Sequence, residues 1–176
     1  MKYVEEIKEM LEAEHRRTQR DAIVEYVGTD RAKMKALMNL FIDDKWHWRY
    51  NQRSAWPIGV IGRKYPAMME PYHVDMVAKL DTPTHDAQLR NIIRIYEDID
   101  IPESIEGELY DKCYGFLSNP QVPIAVRCFS MTVAAKVATK YPELQDEIVA
   151  MIKEHLPHGS AGFKSRGGKI INRFAN

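Results

Sequence analysis

Cysteine is almost missing from this chain of 176 residues: Cys113 and Cys128 stand alone, without the paired spacing that would build a zinc site or a disulfide framework. A reducing, cytoplasmic setting is therefore expected. No stretch approaches the roughly eighteen uninterrupted apolar residues of a membrane helix. Residues 1–14 carry five Glu and no apolar core of a secretory leader. Neither a membrane span nor a targeting segment is expected. Net charge is lacking too, since 25 Lys and Arg balance 25 Asp and Glu, and that average argues against a nucleic-acid binder. Strand-like alternation of apolar and polar residues is absent. What remains is 45% apolar residues, ample for one folded domain over residues 1–176.

The chain repeats itself. Five segments align on a shared Arg: Arg20 in TQRDAIVEYVG, Arg53 in NQRSAWPIGVIG, Arg90 in QLRNIIRIYE, Arg127 in AVRCFSMTVAA and Arg166 in KSRGGKIINRF, with spacings of 33, 37, 37 and 39 residues. Two helices of about 12 to 16 residues and two short turns consume such a period. A second mark agrees, because Lys64-Tyr65-Pro66 recurs as Lys140-Tyr141-Pro142 after 76 residues. Pro102 falls between them, and a proline in the first turn of a helix removes only an N–H that has no partner there. These spacings predict an all-α fold, an α-solenoid of about five stacked hairpins and about ten helices.

With A the first helix of each hairpin and B the second, the A helices are expected at Lys2 to Glu14, Arg31 to Ile42, Ala67 to Leu80, Glu103 to Leu117 and Glu143 to Leu156. The B helices are expected at Thr18 to Val27, Trp48 to Gly62, Asp86 to Glu97, Pro123 to Thr139 and Phe163 to Phe174. Ile105, Leu109, Cys113, Phe116 and Leu117 form one apolar stripe, as do Leu144, Ile148, Met151, Ile152 and Leu156. The fourth B helix is apolar nearly all round, from Ile124 to Val137, as a helix flanked on several sides must be. Turn signals separate the helices at Gly28-Thr29-Asp30, Asp43-Asp44, Asp81 to Thr84, Ser118-Asn119-Pro120 and Pro157 to Ser160.

The segment Asp43-Asp44-Lys45-Trp46-His47-Trp48-Arg49 resembles the inter-helix signature of HEAT repeats: an acidic turn and an aromatic residue before a helix B that opens with an apolar residue and Arg. Asn119-Pro120 through Val126-Arg127 is a looser copy, and Arg20-Asp21-Ala22 with Val27-Gly28 repeats the helix B pattern. In the second repeat both Arg49 and Arg53 fit the Arg position. The resemblance covers essentially the whole chain. It implies an armadillo-type superhelix with B helices on the concave face, and a role in binding proteins or nucleic acids.

Behind the neutral average, charge is segregated by row. Residues 15–29, 45–64, 85–98, 121–141 and 157–176, which hold the B helices, sum to +12, and the remainder to −12. A face of one sign concentrates partners of the other sign even at zero net charge. The Arg ladder offers either forked donors to a partner's phosphates and carboxylates or bonds within its own repeat that hold register. Arg94, Lys136, Lys164, Lys169 and Arg173 have no register duty and are candidates for partner contact. Trp46, Trp48 and Trp56 lie within eleven residues of one another beside Arg49, the residue types of interface hot spots and of base stacking.

An adaptor that binds an acidic protein segment on its basic face is the favoured reading, without cofactor or metal. The alternative is a nucleic-acid binder, including a form similar to HEAT-like alkylpurine DNA glycosylases, in which a carboxylate beside tryptophans steadies a cationic sugar. No catalytic residue is assigned. His155 and His158 straddle Pro157 and make no rigid metal pair. The run from Gly159 to Lys169 lacks Walker spacing; it reads as a mobile loop leading into a final helix that Gly167 and Gly168 weaken. If the hairpins stack, Phe129→Ala in a central repeat should cost about 1–3 kcal/mol more than Ile7→Ala at the end.

Overall fold

The computed structural model describes residues 2–175. It is all-helical, with ten α-helices and no strand among the described residues. The chain divides into two compact units, residues 1–99 and 100–176.

The first unit holds three hairpins: α1 (Lys2–Ala13) with α2 (Arg17–Val27), α3 (Arg31–Ile42) with α4 (Trp48–Lys64), and α5 (His73–Lys79) with α6 (Asp86–Asp98). α1, α3 and α5 pack in one row and α2, α4 and α6 in the other, so each hairpin covers its neighbour. The expected periodicity sets this up: Val4, Ile7 and Leu11 lie along one side of α1 and are buried. Gly28 ends α2 at φ 48, a conformation that costs a residue with a Cβ far more than glycine. Asp30 then accepts from the backbone N–H of Ala32 and Lys33 at 2.8 and 3.1 Å and starts α3. In α4, glycine permits close approach to α6: a Cβ at Gly59 would sit 2.6 Å from Asn91 Oδ1.

One expected helix is broken. Instead of a helix from Ala67 to Leu80, two single 3₁₀ turns, Pro66–Met68 and Glu70–Tyr72, precede the short α5. Pro71 explains it, since it has no N–H to donate and its ring would clash with the Ala67 carbonyl four residues back. Met68, Met69 and Met76 are buried beneath this bend, where a flexible thioether chain fills irregular space.

The second unit pairs α7 (Glu103–Ser118) with α8 (Ile124–Ala138) and α9 (Gln145–His155) with α10 (Ala161–Phe174). α7 packs on α9 and α8 on α10, while α8 also meets α9. Neighbours on several sides are the reason α8 is apolar nearly all round. Cys113 on α7 is wholly buried, and burial pushes its thiol up to about 12. Both Lys-Tyr-Pro marks adopt one shape: Tyr65 has φ −134 and ψ 69, Tyr141 has φ −124 and ψ 86, and each proline opens a 3₁₀ turn.

Two further expectations change here. The Gly-rich run is helix from Ala161 onward, started by Ser160, whose hydroxyl accepts from Phe163 N–H at 3.2 Å. Gly167 is a packing residue rather than a weakness, because a Cβ there would lie 2.8 Å from both Ile152 and Leu156. Burial also changes the stability order to be expected. Ile7 is fully buried, whereas Phe129 is only half-buried, beneath the Arg166 guanidinium. Ile7→Ala should cost about 2–5 kcal/mol and Phe129→Ala clearly less, read from urea midpoints at constant m.

Candidate functional site

Side-chain donors of one helix meet the carbonyls left over at the end of another. Every α-helix ends with four carbonyls that its own backbone cannot satisfy. Arg53 of α4 donates to Leu11 O at 2.6 Å. Buried Asn51, two residues earlier in α4, reaches Leu40 O and Phe41 O at 3.0 and 3.2 Å. Gln88 of α6 donates to Phe41 O at 2.6 Å while its Oε1 accepts from Thr84 N–H at 2.8 Å. In the second unit Arg127, 7% exposed, donates twice to Leu117 O, at 3.1 and 3.0 Å. Burial lowers its pKa. Arg53 and Arg127 therefore make register contacts, and Asn51 and Gln88 share a duty that the Arg alignment did not reveal.

The remaining ladder residues go elsewhere. Arg20 bonds Asp21 and lies 4.6 Å from the centre of the Trp56 ring. Arg166 donates to Thr132 Oγ1 at 2.5 Å and lies 5.4 Å from the Phe129 ring. Arg90 is exposed on α6, with Arg94 one turn further on, also exposed.

The three tryptophans occupy three environments. Trp46 turns back toward α3, its indole N–H donating to Asn39 Oδ1 at 3.0 Å, and Lys8 stands 5.3 Å from its ring. Trp56 is half-buried between Arg20 and the edge of His15. Trp48 is 42% exposed and stacks on His85 at 6.0 Å and 7°, with the Arg49 guanidinium 5.5 Å from its ring. His85 is held from behind: its Nδ1 accepts from Ala87 N–H at 3.0 Å and caps α6, and its Nε2 lies 3.2 Å from Gln52. An exposed Trp48, His85 and Arg49 thus form one fixed patch.

In the second unit two basic residues of the B row, Arg166 and Lys169, lie on one side of α10. Ser165, Arg166, Lys169 and Ile170 of α10 fall at i, i+1, i+4 and i+5, and with Thr132 of α8 and Gly162 they line a groove of about 450 Å³. Lys164 and Lys169 are exposed, and Lys136 is half-buried one turn beyond Thr132. Residues 121–141 and 157–176 contain no Asp or Glu. This arrangement can hold carboxylates or phosphates through hydroxyl, guanidinium and ammonium donors. Among the described residues no group of three or more His, Cys, Asp or Glu is placed to hold a metal ion, and no helix is long and apolar enough to cross a membrane.

The acidic turn before α4 is bonded throughout. Asp43 pairs with Lys45 and accepts from Lys45 N–H at 3.0 Å. Asp44 pairs with Lys79, whose side chain is 4% exposed, and accepts from Thr84 Oγ1 at 2.7 Å. The Lys45 bond chiefly holds the Asp43 carboxyl below its usual range, and the Lys79 bond, then Thr84, does the same for Asp44. A carboxyl with a depressed folded-state pKa adds stability above its unfolded value of about 3.9, and that stability is lost as pH falls through the folded value. Asp44→Asn should therefore lower the melting temperature at pH 7, leaving Lys79 buried without its countercharge. It should also make the fall in melting temperature below about pH 4 shallower than in the parent chain, followed by circular dichroism.

Comparison with curated proteins returns no match, and comparison with solved structures returns none. A model of the HEAT repeat domain matches residues 7–173. Paired helical rows, the acidic turn and the Arg contacts to neighbouring helix ends agree with that match, and the chain belongs to the HEAT repeat domain family.

Proposed function

We propose that the protein is a non-enzymatic helical-repeat adaptor, residues 1–176 acting as one domain, whose B helices bind an acidic segment of a partner protein. The observation that carries this reading is the groove between α8 and α10, where Arg166 and Lys169 line a surface built from segments without a single acid. Lys136 and Lys164 extend that positive field. In the first unit Trp48 and Arg49 supply an aromatic anchor, with Arg53, Trp56, Arg90 and Arg94 on the same helix row. A basic surface raises the local concentration of acidic segments, and an exposed aromatic ring adds contact that salt does not screen. A chain with only two cysteines, without paired spacing, suits a cytoplasmic setting.

A nucleic-acid partner is the second reading, favoured by one feature: a Trp48 face beside Arg49 and His85, the residue types on which bases stack. Its glycosylase form is less well supported, because Asp43 and Asp44 already spend their oxygens on Lys45, Lys79 and Thr84.

Fluorescence anisotropy separates the two. A labelled decapeptide rich in Glu and a labelled 20-base-pair duplex are titrated at about 50 and 200 mM salt, a range in which phosphate contacts lose affinity steeply. The adaptor reading expects peptide binding that Lys169→Glu weakens about 10-fold or more, equivalent to about 1.4 kcal/mol, and weak duplex binding at both salt concentrations. Tight duplex binding with a steep salt slope, and none to the peptide, would reverse the ranking.

A further inference from the structure

The α8–α10 groove carries more donors than a carboxylate can use. Ser165, Arg166 and Lys169 fall within about one turn of α10, and with Thr132 of α8 they line a space of about 450 Å³. A hydroxyl, a guanidinium and an ammonium thus meet at one wall. No Asp or Glu occurs in residues 121–141 or 157–176 to compete for them.

Arg166 differs from the exposed Ser165 and Lys169 in being held in place. Its Nη1 donates to Thr132 Oγ1 at 2.5 Å, and the guanidinium lies 5.4 Å from the centre of the half-buried Phe129 ring. Thr132 Oγ1 in turn donates to Cys128 O at 3.3 Å. The single hydroxyl proton is committed there, so towards Arg166 this oxygen acts as an acceptor. A guanidinium presents five N–H groups in a rigid plane and can serve Thr132 and a ligand together. A side chain already fixed loses little freedom when a ligand arrives.

The donor count favours a phosphate monoester. An ionised carboxylate has one charge on two oxygens, which a guanidinium fork satisfies alone. Lys169 and Ser165 would then have nothing to bond. A nucleic-acid phosphate, with one charge in a diester, meets the same surplus of donors. A phosphorylated side chain brings nearly two charges at neutral pH and three terminal oxygens, one for each kind of donor at this wall, and two of those donors are cations.

We propose that the α8–α10 groove binds a phosphorylated serine or threonine within an acidic segment of a partner protein. Arg166 and Lys169 share the two charges, and Ser165 donates to the third oxygen. This inference rests on the reading of the groove as a site for acidic segments and names the group that anchors such a segment. Neighbouring carboxylates of the segment meet the field of Lys136, half-buried one turn beyond Thr132, and of exposed Lys164. Phosphorylation of the partner then turns a diffuse attraction into a directed contact.

Three fluorescein-labelled decapeptides, titrated with the full chain and followed by anisotropy, test this. One is built of Gly and Glu with a central Ser, the second is phosphorylated at that Ser, and in the third two further Gly become Glu to match the charge. The phosphopeptide should bind at least about 10-fold more tightly than the charge-matched control. Ser165→Ala should weaken the phosphopeptide about 3-fold or more, leave the control within about 2-fold and leave the melting temperature unchanged. Arg166→Lys, which keeps the charge and loses the fork, should bring the phosphopeptide down to the control. Equal binding of the phosphopeptide and the control overturns this inference and leaves the acidic-segment reading standing. No binding by any of the three removes both. Retention on vesicles of equal parts phosphatidylcholine and phosphatidic acid, without phosphopeptide binding, would assign the groove to a lipid monoester and overturn the inference as well.

Discussion

The capture of helix-end carbonyls by side chains of a neighbouring helix is the constraint on which the arrangement of each unit rests. Apolar burial alone would let paired helices slide, because it is proportional to area and has no direction. A donor aimed at a particular carbonyl fixes one position along the axis. Arg53 does this for the end of α1, Asn51 and Gln88 for the end of α3, and Arg127 for the end of α7. Gln88 carries the most, since the same amide that holds Phe41 also closes the start of α6. Removing it would release two helices at once.

This arrangement explains what could be read from the sequence and what could not. Hairpin order and nearly all helix positions followed from the repeated Arg and from apolar periodicity, both properties of single residues at fixed spacing. Packing between nonadjacent residues leaves no such trace. Pro71 was visible, but its power to break a helix was hidden by the apolar residues around it. Gly167 read as a weak point because helix propensity is local, while its use, admitting Ile152 and Leu156, is tertiary. Phe129 read as core because α8 is apolar, yet its ring serves as a platform for Arg166. The site is legible to the same degree: the charge segregation was evident, but the Trp48 and His85 stack joins residues 37 positions apart.

Charge segregation also divides the two helix rows of the second unit. Helices of the α8 and α10 row lack acids, and those of the α7 and α9 row have an excess of them. The basic row has no acid to neutralise it and the acidic row has too few bases, so charge of opposite sign stays on the two rows of one small unit. A neutral molecule can in this way approach partners of either charge, with water and salt moderating both attractions.

Cys113 gives the second unit an internal clock. Only the thiolate reacts with alkylating reagents, and this sulfur is sealed on α7, beyond solvent and reluctant to ionise. A reagent can reach it only when α7 and α8 part. Half-buried Cys128 sits on the same unit with readier access. The lag between the two labelling rates therefore measures how often these helices separate, with no probe added to the chain.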